Sequence, residues 1–129
     1  MLLVKTKLAM SCIDGIGLFA DQFIARGTIV WRSHPEIDIR LTPEQIHVLA
    51  EPSREQICKY TYREKKSGLY VLCGDDARFF NHSPNPNCID TCNGPDDITI
   101  ASQDIVAGEE LTCDYSLFDL DLAEGRYRI

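Results

Sequence analysis

No stretch of this chain approaches the ~20 consecutive apolar residues that a membrane span requires, so a helical membrane protein is excluded. The segment Met1 to Lys7 lacks the long apolar run and small-residue cleavage site of a secretory signal. Basic charge is scarce: 13 Lys and Arg face 20 Asp and Glu, for a net charge of −7. Nucleic-acid binding draws much of its affinity from cations that neutralise phosphates, so direct nucleic-acid binding is not expected. A basic partner suits this balance better, although solubility alone would also account for it. Close cysteine pairs are missing as well. Among six cysteines, Cys88 and Cys92 stand four apart, Cys58, Cys73 and Cys113 stand alone, and no Cys-x-x-Cys occurs. Structural zinc usually draws on such pairs, so no metal site is expected. Without a secretion signal the thiols read as free and buried in a reducing, cytoplasmic setting.

What is present is one domain's worth of chain, 129 residues with 44% hydrophobic and 26% charged side chains. Apolar runs are short and punctuated by turns. Leu2 to Leu8, Ile29 to Trp31, Leu69 to Cys73, Ile98 to Ala101 and Leu111 to Cys113 read as strands. Ile37, Ile39 and Leu41 alternate with Asp38 and Arg40, the pattern of a half-buried strand with its acid outward. Thr42-Pro43-Glu44-Gln45 predicts a capped helix start. Pro52 is expected to end that helix, and Ser53 to Gln56 to cap a second one through about Tyr60. Gly74-Asp75-Asp76 opens a helical turn over Ala77 to Phe80. Ser83 to Asn87 is irregular, and Asn93-Gly94-Pro95-Asp96 is a turn. The expectation is a single, mostly β domain over residues 1–129, with a helical insert at about 42–60 and a C-terminal cap at about 116–129.

Three separated segments carry more polar chemistry than a plain β domain needs. Gly15-Ile16-Gly17 is either a turn requiring positive φ or a close approach of backbone to a ligand. It lacks the third glycine and long helix of a dinucleotide fingerprint, and no Walker lysine follows. Arg78-Phe79-Phe80-Asn81-His82-Ser83 sets an amide and an imidazole beside two aromatics in irregular backbone. Asn81 and His82 either cap a turn or grip a polar ligand, since buried amides must be hydrogen-bonded. Glu110-Leu111-Thr112-Cys113-Asp114-Tyr115 ends a strand on a tyrosine, which is either a plain strand end or a hydroxyl aimed into a site.

Taken together, these segments resemble the SET-domain protein lysine methyltransferases, from about Cys12 to Phe118. Gly15 to Ala20 is similar to the family's first motif. Arg78 to Ser83 with Pro86-Asn87-Cys88 is similar to its Arg-Phe-Ile-Asn-His-Ser-Cys-x-Pro-Asn signature, and Glu110 to Tyr115 to its Glu-Leu-x-x-Asp-Tyr motif. The resemblance implies a knotted β fold of several small sheets, with the C-terminal motif threaded beside Asn81 and His82. It implies S-adenosylmethionine as methyl donor, S-adenosylhomocysteine as product, and no metal. Ile16, Gly17 and Leu18 would hold the donor's amino-acid end through backbone, and Asn81 and His82 its polar groups and adenine. Tyr115 would be the catalytic tyrosine, itself in contact with the donor. The substrate would be a lysine-bearing protein or peptide, and a basic one would suit the acidic chain.

The sequence departs from the family pattern where its zinc-bound C-terminal cap would begin. Pro84 stands in place of the signature cysteine, and no Cys-x-Cys follows Tyr115. The lysine channel is therefore expected to be walled by Cys113, Phe118, Tyr60 and Tyr62, with Leu117 and Leu120 read as core. Asp119, Asp121 and Glu124 either attract a basic peptide or solvate a tail. Cys113 occupies a position where Phe or Tyr is common, and its small side chain favours more than one methylation. Neutralising a lysine of pKa ~10.4 at pH 7 costs roughly 4.6 kcal/mol, and a tyrosine of pKa ~10 is a poor standing base. Tyr115 is thus expected to orient the amine, with the proton leaving through water. Two other readings stand beside this one: a catalytically inactive SET fold kept as a binding module, and a zinc-binding interaction domain built from Cys88, Cys92 and Cys113. A homodimer that completes the channel is left open.

Overall fold

The computed structural model describes residues 1–91 and 97–117. Strands β1 (Thr6–Met10) and β2 (Ile16–Ala20) form an antiparallel hairpin, with Thr6 opposite Ala20 and Met10 opposite Ile16. Its turn closes through Gly15 at φ +48°, a left-handed conformation that favours glycine. The Ser11 N–H donates to the Gly15 carbonyl at 2.8 Å, completing the turn. A second sheet takes β3 (Ile29–Arg32), β8 (Cys88–Thr91) and β9 (Ile98–Ala101) in the order β3-β9-β8, all antiparallel. A third takes β4 (Ile39–Leu41), β5 (Thr61–Arg63) and β6 (Tyr70–Leu72) in the order β4-β6-β5. The last pairing joins β7 (Asn81–His82) to β10 (Thr112–Cys113) in parallel, placing Thr112 opposite Asn81 and Cys113 opposite His82.

Between β4 and β5 lie α1 (Pro43–His47) and α2 (Glu51–Tyr60), within the expected insert. The capping box at Thr42 is present. The Gln45 N–H donates to Thr42 Oγ1 at 3.1 Å, and the Thr42 N–H to Gln45 Oε1 at 2.8 Å. The second helix corrects its expected start. It begins at Glu51, with Pro52 inside its first turn and Ser53 already helical, and Ala50 caps it without a side-chain bond. Proline has no N–H to lose there and its fixed φ suits a first turn, so Pro52 starts this helix as readily as it could have ended the previous one. Asp75 caps a 3₁₀ turn over Asp76–Phe79 by accepting from the Ala77 N–H at 3.1 Å.

The alternation around Asp38 is also reversed. Asp38 is 5% exposed, whereas Ile39 is 52% exposed. The carboxylate is turned inward because it satisfies backbone donors: the His34 N–H at 2.7 Å and the Gly74 N–H at 3.2 Å. Two charge-assisted bonds to otherwise orphaned N–H groups outweigh the burial of one isoleucine.

The core has two buried clusters. Leu18, Ala20, Ile24, Val30, Cys88, Ala101, Ile105, Leu111 and Cys113 form one buried cluster; Trp31, Cys73 and Ala77 form another. Leu2 and Phe80 pack against both. Cys58, Cys73, Cys88 and Cys113 are buried free thiols and Cys12 is an exposed one. No helix among the described residues is long and apolar enough to cross a membrane.

Gly74 fixes how β6 returns toward the 3₁₀ turn. A Cβ there would lie 2.1 Å from the Ile37 carbonyl oxygen, and backbone cannot yield as a side-chain tip can. Gly74→Ala is therefore expected to lower unfolding free energy by about 1–3 kcal/mol, read from urea midpoints. A variant as stable as the wild type would show that the Ile37–Gly74 approach is slack.

Candidate active site

The short parallel pairing of β7 and β10 is reinforced from the side by Asn87. This residue is 8% exposed and uses all its polar groups. Its Nδ2 donates to the Glu110 carbonyl at 2.8 Å, its Oδ1 accepts from the Thr112 N–H at 2.9 Å, and its own N–H donates to Thr112 Oγ1 at 3.3 Å. The Ser83 N–H donates to the Cys113 carbonyl at 3.0 Å. Two strands of two residues would be marginal alone; the asparagine makes their register unambiguous.

That register delivers Tyr115 to its place. The chain leaves β10 into a 3₁₀ turn over Tyr115–Leu117. The Tyr115 N–H donates to His82 Nδ1 at 3.0 Å, so this nitrogen is an acceptor and the imidazole is held in one tautomer. The Tyr115 hydroxyl donates to the Phe80 carbonyl. The two rings lie 5.5 Å apart. Asp114, 3.8 Å from His82, is held below the usual carboxylate range by its bond from the Ser116 hydroxyl.

Tyr115 forms part of the wall of a cavity of about 590 Å³, open mouth included. Tyr60, Tyr62, Phe80 and Cys113 line it with Tyr115, so three of the four expected channel residues converge there. Phe118, Leu120, Asp119, Asp121 and Glu124 lie outside the described residues, as does the expected turn at Asn93 to Asp96. Tyr60 packs edge-on to Phe79 at 5.4 Å, with the Arg78 guanidinium 5.9 Å from the Tyr60 ring centre.

The expected donor-binding residues divide by environment. Ile16 is 52% exposed, but Leu18 is fully buried and its carbonyl accepts from the Leu111 N–H at 2.8 Å. Gly17 lies against Glu110, whose carboxylate would be 2.3 Å from a Cβ at that position. Asn81 Nδ2 donates to Glu110 Oε2 at 2.8 Å and to the Asp14 carbonyl at 3.1 Å. Ser11 Oγ donates to the same carboxylate at 2.8 Å. Glu110, read from the sequence only as part of a motif, is thus the group that gathers the hairpin and Asn81. No Lys or Arg pairs with it among the described residues.

Asp90, Thr99, Trp31 and Thr61 also line the cavity, and sequence reasoning missed all four. The signal that existed was a carboxylate and a threonine in otherwise apolar strands, which is too common to act on. Thr99 Oγ1 donates to Asp90 Oδ1. Burial pushes the Asp90 carboxyl up to about 6, against the lowering effect of hydrogen bonds from Thr99 and the Cys113 thiol. Burial likewise pushes the thiol of Cys88 up to about 12 and that of Cys113 well above its ordinary value. Both are therefore neutral at physiological pH, unlike the reactive thiolates of exposed sites. Among the described residues no three His, Cys, Asp or Glu side chains converge as a metal site would require.

Small sheets around a parallel β7–β10 pair, with tyrosine and Asn-His at the junction, define an architecture that comparison identifies. Residues 15–116 match the SET domain model, and the chain belongs to the SET domain family. It is 33% identical to Histone-lysine N-methyltransferase trr of Drosophila melanogaster over 130 residues, covering 88% of this chain and 5% of that protein. It is 34% identical to Histone-lysine N-methyltransferase 2D of Homo sapiens, covering 88% of this chain and 2% of that one. The chain therefore spans a small fraction of the length of these relatives. Its fold matches the crystal structure of a Plasmodium falciparum candidate histone methyltransferase with a TM-score of 0.64 at 18% identity, covering 88% of this chain and 95% of that one.

A buried carboxyl whose folded pKa is raised holds its proton in the folded state after the unfolded chain has lost it. Its contribution to stability is full below the unfolded pKa of ~3.9 and is lost as pH rises through about 6. Asp90→Asn is expected to stabilise the protein at pH 7.5 by on the order of 2 kcal/mol and to match the wild type at pH 4. Chemical denaturation at the two pH values checks this; equal stabilities at pH 7.5 would refute it.

Proposed function

We propose that this chain transfers a methyl group from S-adenosylmethionine to the side-chain amine of a protein lysine. The observation that carries the reading is the Tyr115 hydroxyl on the Phe80 carbonyl, in the wall of a cavity lined by Tyr60, Tyr62 and Cys113 and next to the Asn81-His82 pair. The names of the relatives support lysine methylation as the chemistry and a histone as the first substrate to try.

The residues at the hairpin fit the donor. S-adenosylmethionine, when bound, supplies a methyl group already activated on a positively charged sulfur. Its amino-acid end carries an ammonium, and Glu110 is a carboxylate with no cationic partner among the described residues. Asn81 is fixed beside it, and Ile16 and Met10 expose apolar surface on the same hairpin. Ile16 and Gly17 would contribute backbone, while buried Leu18 would act through its neighbours. The His82 side chain is 46% exposed, which leaves it available to a flat aromatic ring.

Tyr115 acts by position. The residue is held at its backbone N–H by His82 and at its hydroxyl by the Phe80 carbonyl, so little freedom remains to be lost when an amine enters. It orients the amine lone pair; at neutral pH it is not a base. The walls of Tyr60, Tyr62 and Phe80 exclude water from the alkyl chain of the lysine and favour the neutral amine.

Tyr115→Phe should lower methyl transfer by at least about 100-fold, measured with radiolabelled S-adenosylmethionine and core histones or cell-extract protein. Donor binding, followed by calorimetry, should persist in the variant. Full transfer by Tyr115→Phe would remove Tyr115 from this role. Binding of the donor with no transfer to any protein would instead favour a non-catalytic SET module. Cys113 leaves the inner cavity wider than an aromatic residue would. Wild-type product should therefore include dimethyl- or trimethyl-lysine, and Cys113→Phe should shift it to monomethyl. Mass spectra with monomethyl product alone from the wild type would contradict this.

A further inference from the structure

The cavity has a chemical character that the tyrosine and its aromatic neighbours do not explain. Beyond Cys113 its wall turns polar. Asp90, Thr99, Trp31 and Thr61 all contribute. Trp31 and Thr61 are 4% and 3% exposed, and among the described residues the buried indole Nε1 and threonine Oγ1 have no hydrogen-bond partner. The Thr61 hydroxyl can accept a hydrogen bond from an N–H donor that enters the cavity, whereas the indole N–H is a donor only and needs an acceptor. Asp90 has accepted bonds from Thr99 and Cys113 but pairs with no Lys or Arg among the described residues. A carboxylate held by neutral donors, in the wall of a cavity that aromatic side chains also line, suits an alkylammonium.

Asp90 also belongs to a second cavity. Trp31, Tyr62 and Asp90 line both, and the second is completed by Glu64, Lys65, Lys66, Thr91 and Asp97. Asp90 therefore lines both the cavity that Tyr115 lines and a second one walled by charged side chains. Resting on the lysine methyltransferase reading above, we propose that Asp90 accepts the proton of the substrate ammonium and releases it to water through the second cavity.

The step balances. An N–H bond of the ammonium breaks, an O–H bond forms on Asp90, and the electron pair stays on nitrogen as the lone pair needed for attack. A cation and an anion become two neutral groups, so burial favours the products. In water the transfer is uphill, because lysine at ~10.4 lies far above an ordinary aspartate at ~3.9. Burial narrows the gap from both sides. It has brought Asp90 to about 6, and fully buried lysines reach pKa values of about 5–6. The titratable groups around Asp90 do not replace it. Tyr62, Cys73, Cys88 and Cys113 are all driven up by burial and stay neutral near pH 7. Asp97 is raised by burial and by its hydrogen bond with Glu64, and its charge acts on Asp90 in the same upward direction.

The test uses wild type and Asp90→Asn, which keeps the shape and the acceptor for Thr99. With core histones and radiolabelled S-adenosylmethionine between pH 5 and 9, the wild type should lose kcat as pH falls through about 6. Asp90→Asn should lower kcat at pH 8 by about 100-fold, abolish that acid limb and change KM less than about threefold. Asp97→Asn should retain the limb. Without donor, n-butylammonium should bind the wild type at least tenfold more tightly than Asp90→Asn at pH 7.5. On saturation, the ¹³C resonance of the Asp90 carboxyl should move toward its protonated position. Wild-type kcat and pH profile in Asp90→Asn would overturn the proposal. So would a raised KM at unchanged kcat, or a carboxyl resonance that stays ionised on saturation. If the wild type methylates nothing, the methyltransferase reading fails separately, and the butylammonium titration still decides whether Asp90 receives the proton.

Discussion

Everything at the site depends on one short parallel pairing. Thr112 and Cys113 lie beside Asn81 and His82, and the Asn87 side chain locks that register by bonding backbone on the incoming strand. From there consequences run in both directions. Upstream, Glu110 is set against Gly17, Ser11 and Asn81, so the hairpin is joined to the site through one carboxylate. Downstream, Tyr115 is brought to His82 and Phe80. A slip of one residue would turn Cys113 to the other face and carry Tyr115 away from His82 and Phe80, dissolving the cavity.

The polar economy of the molecule is unusual for so small a core. Acids are turned inward at Asp38, Asp90 and Glu110, and each is held mainly by neutral donors. Asp38 holds two backbone N–H groups and thereby joins β4 to the turn after β6. Asp90 is held by a hydroxyl and a thiol, and Glu110 by a hydroxyl and an amide. Among the described residues Arg40 and Lys66 form their ion pairs elsewhere, with Glu64 and Asp97. Among the described residues none of these three inward carboxylates pairs with a Lys or Arg side chain.

Much of this architecture was legible beforehand, for reasons that are local. The capping box at Thr42 and Gln45 is decided within four residues, and the positive φ at Gly15 matches the turn that Gly15-Ile16-Gly17 offers. The motif residues Asn81, His82, Cys113 and Tyr115 were also identifiable, because their type and spacing together are specific. Other features resisted. Pro52 fits either a helix end or a first turn, and its neighbours do not choose. The alternation about Asp38 predicted the wrong face because its partners, His34 and Gly74, enter from outside the strand. Asp90 and Thr99 are unremarkable residues until β8 and β9 pair and β10 brings Cys113 against them.

The sequence by itself determined the family, the mostly β character, the turns and the set of side chains able to do chemistry, since these follow from residue type and short-range spacing. The tertiary structure alone decided which of those side chains meet. Asn87 and Thr112 are 25 residues apart, His82 and Tyr115 33, and Ser11 and Glu110 99. No local preference specifies such pairings. They are fixed by burying one common core, in which Leu18, Cys88, Leu111 and Cys113 exclude water together, and by the cost of leaving any enclosed polar group without a partner.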